Sequence, residues 1–157
     1  MFQPIAIVGR ACLLPGAHTP AELWKLVSER RVAIEPVPDE HWRADRHRML
    51  FSGACATDVG GVVRGFGNIW DPARFPIDSE LLAGLDPLVH WLLYTASEAL
   101  LDAGIAGRPH ARAGVIAGNL AYPTEALVDF AQSVYLPDSA AKSRAPLNRF
   151  SSGFPVH

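Results

Sequence analysis

Residues 85–118 constrain the fold more than any other stretch, because they predict one long helix followed by one buried strand. Asp86 can cap the helix, since its carboxylate can accept hydrogen bonds from the free backbone N–H groups of the first turn. Pro87 suits the first helical position, where an N–H would have no intrahelical partner. Apolar residues then recur at helical spacing as far as Ala103. Gly104 suits the left-handed residue that commonly ends a helix.

Two apolar runs without polar alternation predict strands that are covered on both faces. One is residues 113–118, after the long helix, and the other is residues 4–9, near the start of the chain. The long helix is itself apolar nearly all round, so it needs neighbours on several sides. These elements together predict a layered α/β core larger than this chain can complete.

Weaker patterns predict shorter elements. Thr19 and Glu22 form a capping-box pattern, which indicates a helix that starts at Pro20. An extended segment is predicted at residues 33–38, and a hairpin arm with glycine breaks at residues 60–67. A short helix is predicted at residues 79–83, and a longer helix at residues 124–135.

Composition excludes several classes of function. The net charge of −2 gives no electrostatic argument for binding nucleic acid or an anionic membrane. No run reaches the roughly 20 apolar residues of a membrane span, and no basic segment precedes the first apolar stretch, so we expect a cytoplasmic protein without a secretory signal. Gly9 ends a predicted strand, but the next glycine is Gly16, so the glycine fingerprint of a dinucleotide site is missing.

The candidate reactive and metal-binding side chains all have a plainer structural interpretation. His41 and His47 lie among arginines in an irregular region, with no third ligand in view, so we expect an exposed loop there rather than a metal site. Cys12 and Cys55 have no CxxC or zinc spacing, which predicts two reduced thiols. His90 lies on the long helix, and we expect it to be a packed or capped histidine rather than a base.

A series of short motifs runs through essentially the whole chain. They are Ile5-Ala6-Ile7-Val8-Gly9, Ala11-Cys12, Pro15-Gly16-Ala17, Pro20-Ala21-Glu22-Leu23-Trp24, Val37-Pro38, Trp42, Gly60-Gly61, Asp86-Pro87, Ala99-Leu100, Asp102-Ala103-Gly104, Gly114-Val115, Gly118 and Asn148-Arg149-Phe150-Ser151. In order and spacing they resemble the opening of β-ketoacyl synthase (ketosynthase) domains of type I polyketide synthases and polyunsaturated fatty acid synthases, which belong to the thiolase-like superfamily.

Departures from the common pattern refine this resemblance. Many polyketide synthases have Gln and Arg soon after the Asp-Pro pair, whereas this chain has Leu88-Val89-His90-Trp91. Phe75-Pro76-Ile77-Asp78 replaces a common aromatic-rich turn. With Gly118-Asn119-Leu120-Ala121-Tyr122-Pro123, these segments are more similar to synthases of polyunsaturated fatty acids and related lipid-like polyketides.

The resemblance implies an α/β fold, namely the N-terminal part of a thiolase-like layered αβαβα fold that is incomplete in this chain. It implies a decarboxylative condensation in which a cysteine thiolate takes an acyl group from a carrier protein and two histidines assist decarboxylation of a malonyl unit. In the family that cysteine follows shortly after the segment that matches residues 148–157, and both histidines come later. Residues 1–157 would then be an N-terminal fragment that ends just before the nucleophile. His157 falls where the family has a non-catalytic histidine.

We therefore assign no catalytic, cofactor-binding or metal-binding residue in this chain, and we expect the chain alone to be inactive. Cys12 falls where the family usually has a structural cysteine, and nothing near Cys55 in the sequence nominates a base. The partners that the resemblance implies are a phosphopantetheine-bearing acyl carrier protein, other synthase domains, the remainder of the ketosynthase and a second copy in a homodimer. No cofactor is expected on the chain itself.

Two other functions are open at this point. One is a non-catalytic interaction or scaffold module that retains the opening elements of the ketosynthase fold. The other is a small nucleotide-binding α/β domain, against which the missing glycine fingerprint argues. The coding sequence after His157 would separate the first of these from an enzyme.

Overall fold

The computed structural model of the chain describes residues 4–42, 44–108, 111–118 and 128. These residues form a mixed α/β structure, and the chain divides into two compact units, Met1–Ile69 and Trp70–His157. The described elements are α1 Pro20–Ser28, β1 Ile34–Pro36, α2 Arg46–Phe51, β2 Val59–Gly61, α3 Phe66–Ile69, α4 Ser79–Ala83 and α5 Pro87–Asp102, with short 3-10 helices at Asp39–His41 and Pro72–Arg74.

Helix α1 of the first unit begins with the predicted capping box. The Thr19 hydroxyl accepts from the backbone N–H of Glu22 at 3.2 Å, and the Glu22 carboxylate accepts from the backbone N–H of Thr19 at 3.1 Å. Two backbone donors that have no partner within the helix are thereby satisfied. The side chain of Leu26, one turn further on, packs over Gly16 in the loop that leads into the helix.

The sheet of the first unit is a short antiparallel pair. Strand β1 pairs with β2 so that Ile34 lies opposite Gly61 and Pro36 lies opposite Val59. The predicted extended segment at residues 33–38 contains β1, which confirms it. Of the hairpin arm predicted at residues 60–67, only Gly60 and Gly61 lie in a strand, and α3 begins at Phe66. The pairing of the two segments was not predicted. A Cβ atom on Gly61 would lie only 2.8 Å from Cγ of Pro15, so the lack of a side chain lets the loop before α1 pack against β2.

Helix α5 of the second unit confirms the strongest local prediction. The Asp86 carboxylate accepts from the backbone N–H of Leu88 at 2.9 Å, and Pro87 occupies the first turn. At the other end Ala103 is the C-cap, and Gly104 adopts the left-handed conformation with φ of +68°. Asp86 is only 7% exposed, so this cap is also a buried polar anchor.

The core of the second unit is small. Its buried members are Leu82 of α4, Leu85 just before α5 and Val89 of α5. The half-buried side chains packed against it are Trp70, Ile77, Leu81 and Leu93. The outer part of α5 is less well covered, because Trp91, Leu100 and Leu101 are exposed. The apolar surface of the helix therefore exceeds what the described residues bury.

The predictions of buried strands at residues 4–9 and 113–118 are wrong for this structure. Neither segment forms a strand, and their side chains are exposed, with Ile5 at 94% and Ile116 at 102% of full exposure. A strand needs a neighbour to pair its backbone N–H and C=O groups. The described residues provide none for these two segments, since the only paired strands among them are β1 and β2.

Some predictions fall outside the described residues. The helix predicted at residues 124–135 is described only at Val128, which is helical. The motif at residues 148–151 and His157 lie wholly outside the description. Among the described helices, none is both long enough and apolar enough to cross a membrane.

Candidate functional site

An open cleft with a volume of about 360 Å³ lies in the first unit. It is formed by the loop before α1, the first turn of α1 and the residues that flank β1 and β2. Its lining residues are Gly16, Ala17, His18, Glu22, Val32, Ala33, Glu35, Val62 and Arg64. The cleft therefore combines an aliphatic surface with side chains of both charges.

An ion pair forms one wall of the cleft. Nε of Arg64 donates to the carboxylate of Glu35 at 2.6 Å, which links the end of the hairpin to β1. The terminal nitrogens of Arg64 make no further hydrogen bond to the described side chains, and the guanidinium is half exposed. The sequence did not predict this pair, because the two residues are 29 positions apart and their encounter depends on the β1–β2 register.

A second carboxylate lies at the first turn of α1. One oxygen of Glu22 accepts from the backbone N–H groups of His18 at 2.7 Å and Thr19 at 3.1 Å. The hydrogen bond from the backbone of His18 is the main cause that holds the pKa of Glu22 below its ordinary value. Burial opposes it, and the hydrogen bonds with Thr19 and the charge of His18 lower the pKa further. Glu22 therefore remains ionised in the cleft at neutral pH.

Cys12 is not an activated thiol in this structure. Burial raises its pKa, and the negative charge of Glu22 raises it further. A nucleophilic cysteine needs the opposite environment, in which a neighbouring cation or a helix N-terminus stabilises the thiolate. The structural role of Cys12 stays a prediction.

Cys55 is held by its own loop. Its thiol donates to the backbone carbonyl of Thr57 at 2.9 Å. Both cysteines are free and half-buried. A thiol that donates to a carbonyl has no base to take its proton, so the described surroundings of Cys55 do not fit a nucleophile.

The histidines and arginines before β2 lie on the surface of the first unit. His41 and His47 are exposed, as expected, but the expectation of a loop is wrong, because His41 ends the 3-10 helix Asp39–His41 and His47 lies in α2. The described residues contain no cluster of three or more side chains suited to a metal ion. Arg46 is engaged in ion pairs with Asp58 and Asp39. The cationic character of this region is thus partly neutralised within the unit.

His90 is a packed and capped histidine, as predicted. The Nε2–H group donates to the backbone carbonyl of Leu82 at 2.7 Å, because a carbonyl can only accept. Its imidazole ring stacks on the indole of Trp70 with 4.9 Å between centroids. Both interactions tie α5 to the small core, which is a structural role.

The family is decided by the extent of a sequence match. The family described as "Beta-ketoacyl synthase, N-terminal domain" matches residues 2–149, which is nearly the whole chain. The chain belongs to the β-ketoacyl synthase family. The β-ketoacyl synthase match includes the residues of α1, the cleft and α5, and both cysteines.

Several relatives of this β-ketoacyl synthase chain are polyketide synthases. A phenolphthiocerol/phthiocerol polyketide synthase of Mycobacterium tuberculosis is 32% identical over 66% of the chain, and mycoketide-CoA synthase of the same organism is 36% identical over 74%. Polyketide synthase GfsA of Streptomyces halstedii is 38% identical over 66%. The chain spans 5%, 3% and 1% of the length of these three relatives, respectively. No solved structure gives a significant match.

Proposed function

We propose that this chain is the N-terminal part of a ketosynthase that condenses an acyl thioester with a malonyl unit on an acyl carrier protein, in polyketide or fatty acid biosynthesis. The observation that carries the proposal is the match of residues 2–149 to the N-terminal domain of the family. Polyketide synthases among the relatives support the same reaction class. The reaction needs a thiolate nucleophile and donors that stabilise the developing negative charge on oxygen.

The proposed setting of the chain is a thiolase-like layered fold that further polypeptide completes. The exposed apolar segments at residues 5–8 and 115–116 support this, because each has the composition of a doubly covered strand and no described partner strand. The exposed Trp91, Leu100 and Leu101 of α5 support it in the same way. In the proposed fold these surfaces are buried by strands and helices of the remaining ketosynthase.

The reactive cysteine and its two histidines are proposed to lie outside residues 1–157. The surroundings of the two cysteines present support this placement, because the pKa of Cys12 is raised and the thiol of Cys55 donates to a backbone carbonyl. We propose no resident cofactor. The partners proposed are a carrier protein bearing phosphopantetheine, the other synthase domains and a second ketosynthase copy, and the proposed location is the cytoplasm.

The deciding experiment compares the complete encoded polypeptide with residues 1–157 alone. Each is incubated with an acyl carrier protein and a malonyl carrier protein, and the β-ketoacyl product is detected by mass spectrometry. We expect product from the complete polypeptide and none above the buffer control from residues 1–157. The variants Cys12→Ala and Cys55→Ala of the complete polypeptide should retain activity.

Two results would count against the proposal. Product formed by residues 1–157 alone would place the chemistry within this chain, and the two alanine variants would then identify the thiol. A complete polypeptide that folds and binds carrier protein but forms no product would favour a non-catalytic scaffold module.

A further inference from the structure

We propose that the cleft of the first unit binds a small aliphatic amino carboxylate, with the carboxylate of the ligand on Arg64 and its amine on Glu22. This proposal does not depend on the proposed condensation. It rests on two oppositely charged anchors, each fixed by the fold, on the walls of one cleft.

The cationic anchor is oriented before a ligand arrives. Glu35 holds Nε of Arg64 at 2.6 Å, so the guanidinium is fixed by one edge while its two terminal nitrogens carry no further hydrogen bond to the described residues. A guanidinium offers parallel N–H donors that match both oxygens of a carboxylate. Because the fork is already aligned, less side-chain entropy is lost when a carboxylate binds.

The anionic anchor is equally fixed. One oxygen of Glu22 is occupied by the backbone N–H groups of His18 and Thr19, which leaves the other oxygen free to accept within the described structure. The lowered pKa of Glu22 agrees with a carboxylate that stays charged in the cleft. An ammonium group has three hydrogen-bond donors and no acceptor, so it suits this oxygen.

The apolar part of the cleft lining selects the body of the ligand. It is formed by the buried Ala17 and by the aliphatic side chains of Val32, Ala33 and Val62. The volume of about 360 Å³ falls within the range of small-molecule sites, which is roughly 300–1,000 Å³. An unbranched aliphatic chain would cover this surface without placing a polar group against it.

The charges that line the cleft favour a zwitterion over a simple anion. Glu22 and Glu35 carry two negative charges, Arg64 carries one positive charge, and the imidazole of His18 adds positive charge when it is protonated. A phosphate dianion would therefore enter a cleft whose carboxylates repel it. A ligand with both charges can pair each one with an opposite partner.

The test is calorimetric titration of the complete polypeptide with β-alanine, γ-aminobutyrate and ε-aminocaproate, a series that varies the distance between the two charges. Caproate and hexylamine are the controls that lack the amine or the carboxylate. We expect one member of the series to bind with a dissociation constant on the order of 1 mM. Both controls should bind at least about tenfold more weakly, since each loses one charge-assisted contact.

Variants locate the site. Arg64→Met should weaken binding of the best ligand by about tenfold or more. Glu22→Gln can still accept from the two backbone donors but lacks the negative charge. This variant should bind the best ligand no more tightly than the natural chain binds caproate. Arg74→Met is the matched control, because Arg74 lies outside the cleft in an ion pair with Glu98, and it should leave binding unchanged.

Three outcomes would overturn the proposal: no saturable binding by any member of the series, equal binding by Arg64→Met and the natural chain, or equal loss in Arg74→Met. If Arg64→Met fails to fold, Arg64→Lys takes its place, because it keeps the positive charge and loses the parallel N–H donors that match a carboxylate. It should weaken binding of the best ligand, and unchanged affinity in that variant would overturn the proposal.

Discussion

The imidazole of His90 stacks on the indole of Trp70, with 4.9 Å between ring centroids and 22° between ring planes. The same indole also stacks on the ring of Phe75 at 5.1 Å. Nε2 of His90 also donates to the carbonyl of Leu82. The His90 side chain of α5 therefore contacts both Trp70 and α4. This aromatic cluster lies beside the small core of Leu82, Leu85 and Val89, and Trp70 belongs to both.

We expect His90→Ala to loosen the second unit. The loss of the stack and of the hydrogen bond should lower the local free energy of opening by about 1–3 kcal/mol. Hydrogen exchange, read by mass spectrometry on peptides from α4 and α5, measures this in the complete polypeptide. His90→Phe should restore part of the protection, since it keeps an aromatic ring beside Trp70. Unchanged exchange in His90→Ala would show that the contact contributes nothing.

Gly61→Ala should destabilise the first unit. The added Cβ would lie 2.8 Å from Cγ of Pro15, so the strand or the loop must move, at a cost of about 1–3 kcal/mol. Gly67→Ala is the matched control, because a Cβ there meets nothing within 4 Å and the residue lies in α3. The control should be neutral or stabilising. Limited proteolysis of both variants distinguishes them, and equal cleavage rates would refute the steric argument.

Arg30→Gly should stabilise the end of α1. Arg30 has φ of +54°, a left-handed conformation that L side chains adopt at a cost of about 1–2 kcal/mol. The backbone N–H groups of Arg30 and Arg31 close the helix by donating to Val27 and Leu26. We expect slower hydrogen exchange at the end of α1 in the variant. Arg31→Gly, at a position without a positive φ, should show no such gain.

Acid should weaken the contact between α2 and the segment before β2. The hydrogen bond and charge of Arg46 hold the pKa of Asp58 below its ordinary value, in spite of some opposing burial. Because the folded pKa is the lower one, the stabilisation is fully present above the unfolded value of 3.8 and is lost as the pH falls through the folded pKa. In Asp58→Asn, the protection of α2 against hydrogen exchange should therefore fall less on acidification than it does in the natural chain. The control Glu40→Gln should keep the acid sensitivity of the natural chain.

Residues 1–157 alone should bind a hydrophobic dye and unfold without a sharp transition. Ile5, Ile7 and Ile116 are each at least 82% exposed, so much of their apolar surface stays in contact with water. The double variant Ile5→Ser and Ile7→Ser should lower dye fluorescence, whereas Leu82→Ser should raise it by opening the core. A monodisperse monomer with little dye binding and a cooperative transition would contradict this prediction and favour an independent module.

Local signals in the sequence predicted the elements whose causes are local. The caps at Asp86 and Thr19, the end of α5 at Gly104 and the short helix α4 all depend on residues within one or two turns of each other. The family could also be identified from the sequence, because its motifs are defined by their order and spacing along the chain. His90 was correctly interpreted as a packed histidine, although its partner Trp70 was not predicted.

The sequence by itself therefore determined α1, α4 and α5, the caps at Thr19 and Asp86, and membership of the β-ketoacyl synthase family, but it did not predict α2 or α3. Only the tertiary structure decided the pairing of Ile34 with Gly61, the alignment of Arg64 by Glu35 and the cleft that this ion pair lines. Helix caps are satisfied by neighbours in sequence, whereas strand pairs and clefts join residues far apart in the chain. For the same reason the apolar runs at residues 4–9 and 113–118 are not strands here, because a run of strand-forming residues becomes a strand only when another backbone satisfies its N–H and C=O groups.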